Sequence, residues 1–229
     1  KILNQAVQMK EVFRNMNQKN SVLKQDLEPY VEKIINYTDE INGGLKGAPK
    51  FPQFYIFDTI FHFYKKTKNK NYFNVVKKLL LSVSSKGIYD HLEGGISRYT
   101  VDEKWIVPHF EKMLYDNGQL ASLYAQAYAA TGKELFKEVV EGIMEFVSTG
   151  LTNQDFGFYS SLDADSLDKS GKLQEGAFYV WEKEELVQLL EDKFEIFASY
   201  YNINDYGYWE DKNYVLIRNQ SFEQVALDH

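Results

Sequence analysis

The stretch that decides the fold is residues 87–130, GIYDHLEGGISRYTVDEKWIVPHFEKMLYDNGQLASLYAQAYAA. Its first half is rich in glycine and aromatics, and Gly94-Gly95 permits backbone conformations closed to other residues. Its second half is helical in pattern. Pro108 suits a first helical position, so the periodicity predicts one helix from Pro108 to about Ala130, closed by Thr131-Gly132. Phe110, Met113, Leu114, Tyr115, Leu120, Leu123, Tyr124, Ala127 and Tyr128 cover nearly its whole circumference, which predicts burial on all sides. The following helix, 133–149, exposes Lys133, Glu134, Lys137, Glu138 and Glu141 and reads as an outer, amphipathic one.

Outward from this stretch the same unit recurs. Gly44, Gly95 and Gly157 each lie in a glycine-and-aromatic loop before a helical pair, 51 and 62 residues apart. A period of one loop plus two helices fits stacked helical hairpins, and hairpins set around a ring give an α/α toroid. The expected class is all-α: a partial α/α toroid with long Gly-rich loops and a few short strands, helix well above half of the residues. Further helices are expected at 53–67, 71–85 and 182–191, and strands at 157–160, 177–181 and 214–217. Ahead of the hairpins come a polar amphipathic helix at 3–18 and a second at about 22–41, with Pro29 as a kink or break. Residues 1–42 (leading helices) and 43–229 (hairpins) are read as one partial toroid domain. An interior piece of a ring leaves apolar faces without partners, so a homodimer through exposed toroid faces, or a poorly behaved monomer, is expected.

The 229 residues suffice for one domain core, and 44% are hydrophobic, which excludes a disordered or fibrous chain. Net charge is −7 without a dominant basic stripe, so nucleic acid is not an expected partner. No apolar run approaches the ~20 residues of a membrane span. There is no cysteine, which removes thiolate nucleophiles, disulfides and thiolate zinc sites from this segment. The opening Lys1-Ile2-Leu3 has neither an initiator Met nor a signal-peptide pattern, so the N-terminus reads as cut or processed; the expected location is cytoplasmic. The 17 Tyr and 16 Phe suit a wet concave pocket as well as a core.

Residues 89–117 hold the densest chemistry: His91, Arg98, Asp102, Trp105, His109, Glu111, Asp116 and Asn117, mixed with large apolar side chains. Apolar walls with a few polar groups describe a ligand pocket. On the predicted helix His109, Lys112 and Asp116 share a face, and a neutral His109 near the helix N-terminus would serve as a general base. The competing reading is that the same residues tie the Gly-rich loop to the helix. A second cluster holds Asp163 and Asp165; the calcium-loop pattern does not match, and loop capping is the simpler role. No metal and no cofactor are expected. His62, among Phe61, Phe63 and Tyr64, reads as a packed core histidine.

Several motifs carry a resemblance. Gly-Gly-x-x-x-Ala-Pro-Lys-Phe-Pro (43–52), Gly-Ile-Tyr-Asp-His-Leu-x-Gly-Gly (87–95), Arg-Tyr-x-Val-Asp-Glu-x-Trp (98–105), Pro-His-Phe-Glu-Lys-Met-Leu-Tyr-Asp-Asn (108–117), Asp-Ala-Asp-Ser (163–166) and Glu-Gly-Ala-Phe-Tyr-Val-Trp (175–181) occur in order. Over about Ile34 to Trp181 the chain resembles the spermatogenesis-associated, thioredoxin-domain-containing family. That resemblance implies a thioredoxin-like domain followed by a six-hairpin toroid, similar to those of N-acylglucosamine epimerases and some glycosidases. This chain would then be an interior piece without the thioredoxin-like domain. The family pattern Ala-Glu-Asp-Ala-Asp-Ser is Ser-Leu-Asp-Ala-Asp-Ser here, so Leu162 stands in place of a glutamate and the weight falls on the 90–117 cluster.

Two functions follow as expectations. One is an enzyme acting on a sugar or similar polyol by epimerisation or glycoside cleavage. Asp102 or Asp116 would be the acid or base, His109 its partner, Glu111 a further carboxylate, and Arg98 and Trp105 the substrate binders, with Trp105 stacking on a ring. The other is a non-catalytic ligand-binding or regulatory module serving the thioredoxin-like domain. Because each Gly-rich loop precedes an equivalent helix pair, His91, Arg98, Asp102, His109, Asp116, Asp163 and Asp165 are expected around one concavity.

Overall fold

The structure of the protein, a computed structural model, describes residues 5–11, 26–204 and 209–229. Two compact units divide the chain, residues 1–33 and 34–229. Residues 5–11 are helical, and α1 (Glu28–Ile35) begins one residue before Pro29, where a missing N–H costs nothing. The helix expected at 22–41 ends at Ile35, because residues 36–41 turn into the first glycine loop. Residues 3–4, 12–18 and 22–25 of the two expected helices lie outside the described residues.

The larger unit is built from helical pairs. α2 (Phe54–Thr67) and α3 (Lys70–Val83) are joined by two residues, as are α4 (Leu114–Thr131) and α5 (Glu134–Gly150). Links this short make neighbours antiparallel. The first link turns on Lys68 at φ 61 and the Asn69 side chain, which accepts from the Asn71 amide; the second turns on Gly132 at φ 64. α6 (Lys183–Leu190) and α7 (Phe194–Tyr201) form a third pair, and α8 (Phe222–Asp228) packs on α7. α2 also packs on α4, so these two stand side by side as an inner row with α3 and α5 behind them. α5 buries Phe136, Val139, Ile143 and Phe146 at helical spacing and exposes its charged side, as expected of an outer helix.

α4 departs from expectation in two ways. It buries Asn117, Leu120, Leu123, Tyr124 and Ala127, but Tyr115, Gly118, Gln119, Ser122 and Ala125 are exposed, because α2 and α5 cover only part of its circumference. It also starts at Leu114, not Pro108. Residues 108–113 are extended, because their backbone groups pair with other loops. β1 (Tyr99–Thr100) pairs with β2 (Pro108–His109), and β3 (Lys112–Met113) with β4 (Ser161–Leu162). The Arg98 amide donates to the Glu111 carbonyl between them. Tertiary pairing has overridden the local helical pattern. The strands expected at 157–160, 177–181 and 214–217 are shifted for the same reason. The observed ladders are β4, the hairpin of β5 (Asp165–Leu167) with β6 (Leu173–Glu175), and β7 (Trp181–Glu182) with β8 (Asn213–Tyr214). Helices make up about half of the described residues, fewer than expected, since the loops take the rest.

The glycine loops are true structural repeats. In the first, the Asp39 amide donates to the Gly44 carbonyl and the Gly43 amide to the Asp39 carbonyl. Asp39 Oδ1 accepts from the Ile41 and Asn42 amides, and Oδ2 from Lys50 Nζ at 2.6 Å. In the second, Asp90 repeats these bonds: its amide to the Gly95 carbonyl, its carbonyl from the Gly94 amide, Oδ1 from Leu92 and Glu93, and Oδ2 from Lys112 Nζ at 2.7 Å. In the third, uncharged Asn153 takes the aspartate's place and its Oδ1 accepts from the Asp155 and Gly157 amides. Each loop is closed by one bridge: Thr38 to Leu45, Tyr89 to Ile96, Thr152 to Phe158. The residues just before each inner helix then pair with the next unit, Lys50 with Thr100, Lys112 with Leu162 and Trp181 with Tyr214. All three loops therefore lie at the end of the hairpins where α2, α4 and α6 begin.

Candidate functional site

Between the first turns of α2 and α4 is a cavity of about 260 Å³, lined by Phe51, Gln53, Tyr55, Arg98, Tyr115, Asp116 and Gln119 among others. Asp116 enters it from the first turn of α4. Its Oδ2 is buried and has no hydrogen-bond partner. Burial pushes this carboxyl up to about 6; Arg98 pulls it down and Glu111 pushes it further up. Arg98 is held by Glu111, Nη1 to Oε2 at 3.1 Å, yet 41% of its side chain stays exposed at the cavity. Gln53, at φ 48, is a left-handed residue immediately before α2, and its Oε1 accepts from the Tyr55 hydroxyl at 2.6 Å. A column of rings forms one wall and runs away from the cavity: Phe51 stacks on Tyr99 at 4.6 Å, and Tyr99 on His109 at 4.8 Å.

The structure distributes the residues expected around one concavity. Arg98, Glu111 and Asp116 come together. His109 is one ring removed, on β2 and not on a helix, so no helix dipole acts on it; its Nδ1 lies 2.7 Å from Glu175 Oε1 of the β5–β6 hairpin. The helical face shared by His109, Lys112 and Asp116 does not exist. Asp102 lines neither this cavity nor its neighbour: its carboxylate accepts from the Lys104, Ile106 and Val107 amides and shapes the 101–107 turn. Trp105 is fully buried, with Nε1 donating to the Asn42 carbonyl and its ring under Lys50 Nζ, so it presents no face to a substrate. Asn117 is fully buried too. It holds the Ile96 amide and carbonyl and the Met113 carbonyl, which ties the second glycine loop to α4. Asp163 accepts from the Asp165 amide in a local turn, and Asp165 lies exposed on β5 opposite Glu175.

His91 occupies a second cavity, of about 270 Å³, with Asp90 and Lys112. Lys112 Nζ is satisfied by Asp90 and by the Gly94 carbonyl at 3.0 Å, and lies over the Phe146 and Tyr179 rings. His91 Nε2 lies 3.1 Å from the Lys86 carbonyl. Burial first, and Arg218 next, push its pKa down to about 3, so the ring is neutral. His62, expected in the core, is exposed.

The residues missed in the sequence are Phe51, Gln53 and Tyr55. They flank Pro52 in the Ala-Pro-Lys-Phe-Pro loop, and the placement of that loop immediately before an inner helix was the available signal. Among the described residues no group of three His, Asp or Glu side chains could hold a metal ion. Nor is any described helix long and apolar enough to cross a membrane.

No family model matches the chain. Mouse and human proteins named spermatogenesis-associated protein 20 are each 40% identical to it over 157 residues, 66% of this chain. An uncharacterized protein of Caenorhabditis elegans is 38% identical over 180 residues, 72% of the chain. The chain spans only 20–25% of the length of these relatives. Among solved structures, a cellobiose 2-epimerase of Spirochaeta thermophila superposes on 63% of this chain and 42% of its own (TM-score 0.51, 15% identity). A sugar epimerase from a ruminal bacterium superposes on 62% and 38% (TM-score 0.52, 15% identity). Both share the α/α-toroid fold.

Proposed function

From the premise that this chain is a homologue of spermatogenesis-associated protein 20 carrying helical hairpins of an α/α toroid, we propose that it acts on a carbohydrate or similar polyol in the Asp116 cavity. The observation that carries this reading is Asp116, which lines a cavity between the starts of two neighbouring inner helices and has one carboxyl oxygen buried without a hydrogen-bond partner. A carboxyl that titrates at about 6 is populated in both protonation states close to neutral pH and can exchange a proton with a bound hydroxyl or carbon acid. Arg98 supplies hydrogen-bond donors beside it, and Phe51, 38% exposed, supplies a ring face of the kind on which sugars stack. Solved structures of the same fold are sugar epimerases by name. Epimerisation needs a second proton-transfer group, and His91 and His109 do not line this cavity. Asp116 is therefore assigned one half of the proton transfer.

A binding module is the second reading. It is supported by the internal pairing of the other charged groups: Asp39 with Lys50, Asp90 with Lys112, and Asp102 with three backbone amides. Titration with monosaccharides and disaccharides, followed by protein NMR, tests the common part. Saturable shifts at Arg98, Tyr115 and Asp116 are expected. Asp116→Asn should keep the binding and lose turnover if the protein is an enzyme. A full panel without saturable shifts at these residues would remove both readings.

A further inference from the structure

Arg98 and Asp116 line the same cavity, yet the ion pair that Arg98 makes is with Glu111, which is not a lining residue. Glu111 holds Arg98 twice. Its carbonyl accepts from the Arg98 amide at 2.9 Å, and its Oε2 accepts from Nη1 at 3.1 Å. The backbone bond lies between the β1–β2 and β3–β4 ladders, so strands on either side anchor both residues. Asp116 is fixed independently, in the first turn of α4. Its Oδ2 is buried without a hydrogen-bond partner. A guanidinium ordinarily turns to a buried carboxylate within its reach, since such a charge is costly until it is paired. Here a second carboxylate, itself outside the cavity, has taken the guanidinium.

We propose that Glu111 is the positioning residue of the Asp116 site: by holding Arg98 to itself it keeps that cation from closing onto Asp116, and so it sets the protonation of the Asp116 carboxyl. This inference rests on the reading of Asp116 as a proton-transfer group. The charged and titratable groups around Asp116 are Arg98 and Glu111 from the strand junctions, Tyr115 beside it on α4, and Tyr55 across the cavity on α2. His109 lies beyond the Tyr99 ring and is engaged with Glu175. Glu111 acts on Asp116 in two ways of the same sign. Its negative charge disfavours a second one nearby, and its hold on Arg98 withholds the cation that would favour one. Without Glu111 both effects turn toward the ionised form, so Asp116 would lose its proton at lower pH. A proton-transfer group works best with its pKa close to the working pH, and an Arg98–Asp116 ion pair would take it away from there.

Carbon-13 NMR of the Asp116 carboxyl on the full chain follows its titration in the wild type, Glu111→Gln, Arg98→Gln and the double variant. Glu111→Gln should lower the midpoint, by roughly tenfold in proton affinity. Arg98→Gln should raise it. In the Arg98→Gln background, adding Glu111→Gln should have a much smaller effect, because no cation is left to release. Should Arg98→Gln not fold, nitrogen-15 signals of the Arg98 guanidinium give the same answer: they should follow the ionisation of Asp116 in Glu111→Gln and not in the wild type. An unmoved midpoint in Glu111→Gln, an equal fall with and without Arg98, or Arg98 signals that follow Asp116 in the wild type would each overturn the proposal. The titrations contain no sugar, so they decide the role of Glu111 separately from the reaction. A protein that titrates as expected and exchanges no sugar hydrogen loses the proposed reaction alone.

Discussion

Asp116 shows how one side chain can set both stability and chemistry. Its folded pKa of about 6 lies above the ordinary 3.8, chiefly through burial. The native state thus holds its proton more tightly than the unfolded chain. Stability from this group is fully present below about 3.8 and is lost as pH rises through about 6. Asp116→Asn removes the charge that burial disfavours. Discounted for partial solvent contact, the gain is on the order of 1 kcal/mol at pH 8, or roughly 2–4 °C in Tm, with no gain at pH 4. Thermal unfolding at the two pH values checks this, and an equal change at both would contradict it. Activity that needs protonated Asp116 should likewise fall as pH rises through about 6. At this scale the sequence was partly legible. Asp116 and Arg98 stood out as polar groups in an aromatic stretch. Trp105 was misjudged because what covers it comes from far along the chain: the Asn42 carbonyl, Lys50, and Gly44, where an added Cβ would strike the indole. Nothing local announces such partners.

Among the elements, the first two glycine loops are each anchored by a buried lysine on the loop aspartate. Lys112 is 1% exposed and bonded to Asp90, so Lys112→Met leaves a partly buried carboxylate without its cation. The expected loss is about 3 kcal/mol. Adding Asp90→Asn should recover part of it, because the stranded charge is then gone; a double variant no better than the single one would contradict the pairing. Gly94 tests the loop from the backbone side. It holds φ 76, and an added Cβ would run into the Gly142 carbonyl of α5. Gly94→Ala should destabilise by more than ~1 kcal/mol, read from denaturant midpoints. The helices were legible wherever burial is one-sided, as in α3 and α5, because their apolar spacing is set by the helix itself. The start of α4 was not. Residues 108–113 carry a helical pattern, but their amides and carbonyls pair with Arg98, Tyr99, Thr100 and Leu162, and such pairing cannot be read from local periodicity.

For the whole molecule, the period of Gly44, Gly95 and Gly157 was legible because each unit repeats the same loop chemistry. The convergence of polar residues was not, since the units meet at two cavities where one was expected. The exposed side of α4 with its neighbour α2 bears Tyr55 at 63% and Tyr115 at 49% exposure, an apolar surface of the kind that favours association. We expect light scattering at rising concentration to report a mass above the monomer's, through this face; Tyr115→Lys should lower it, and a constant monomer mass would contradict the expectation. The claim that carbohydrate proton transfer occurs at Asp116 is tested most directly by incubating the protein with a reducing disaccharide in D₂O and following the sugar C2 hydrogen by NMR. Exchange of that hydrogen for deuterium is expected with the wild-type protein and none with Asp116→Asn; exchange that persists in Asp116→Asn, or sugars that neither bind nor exchange, would contradict proton transfer at this carboxyl.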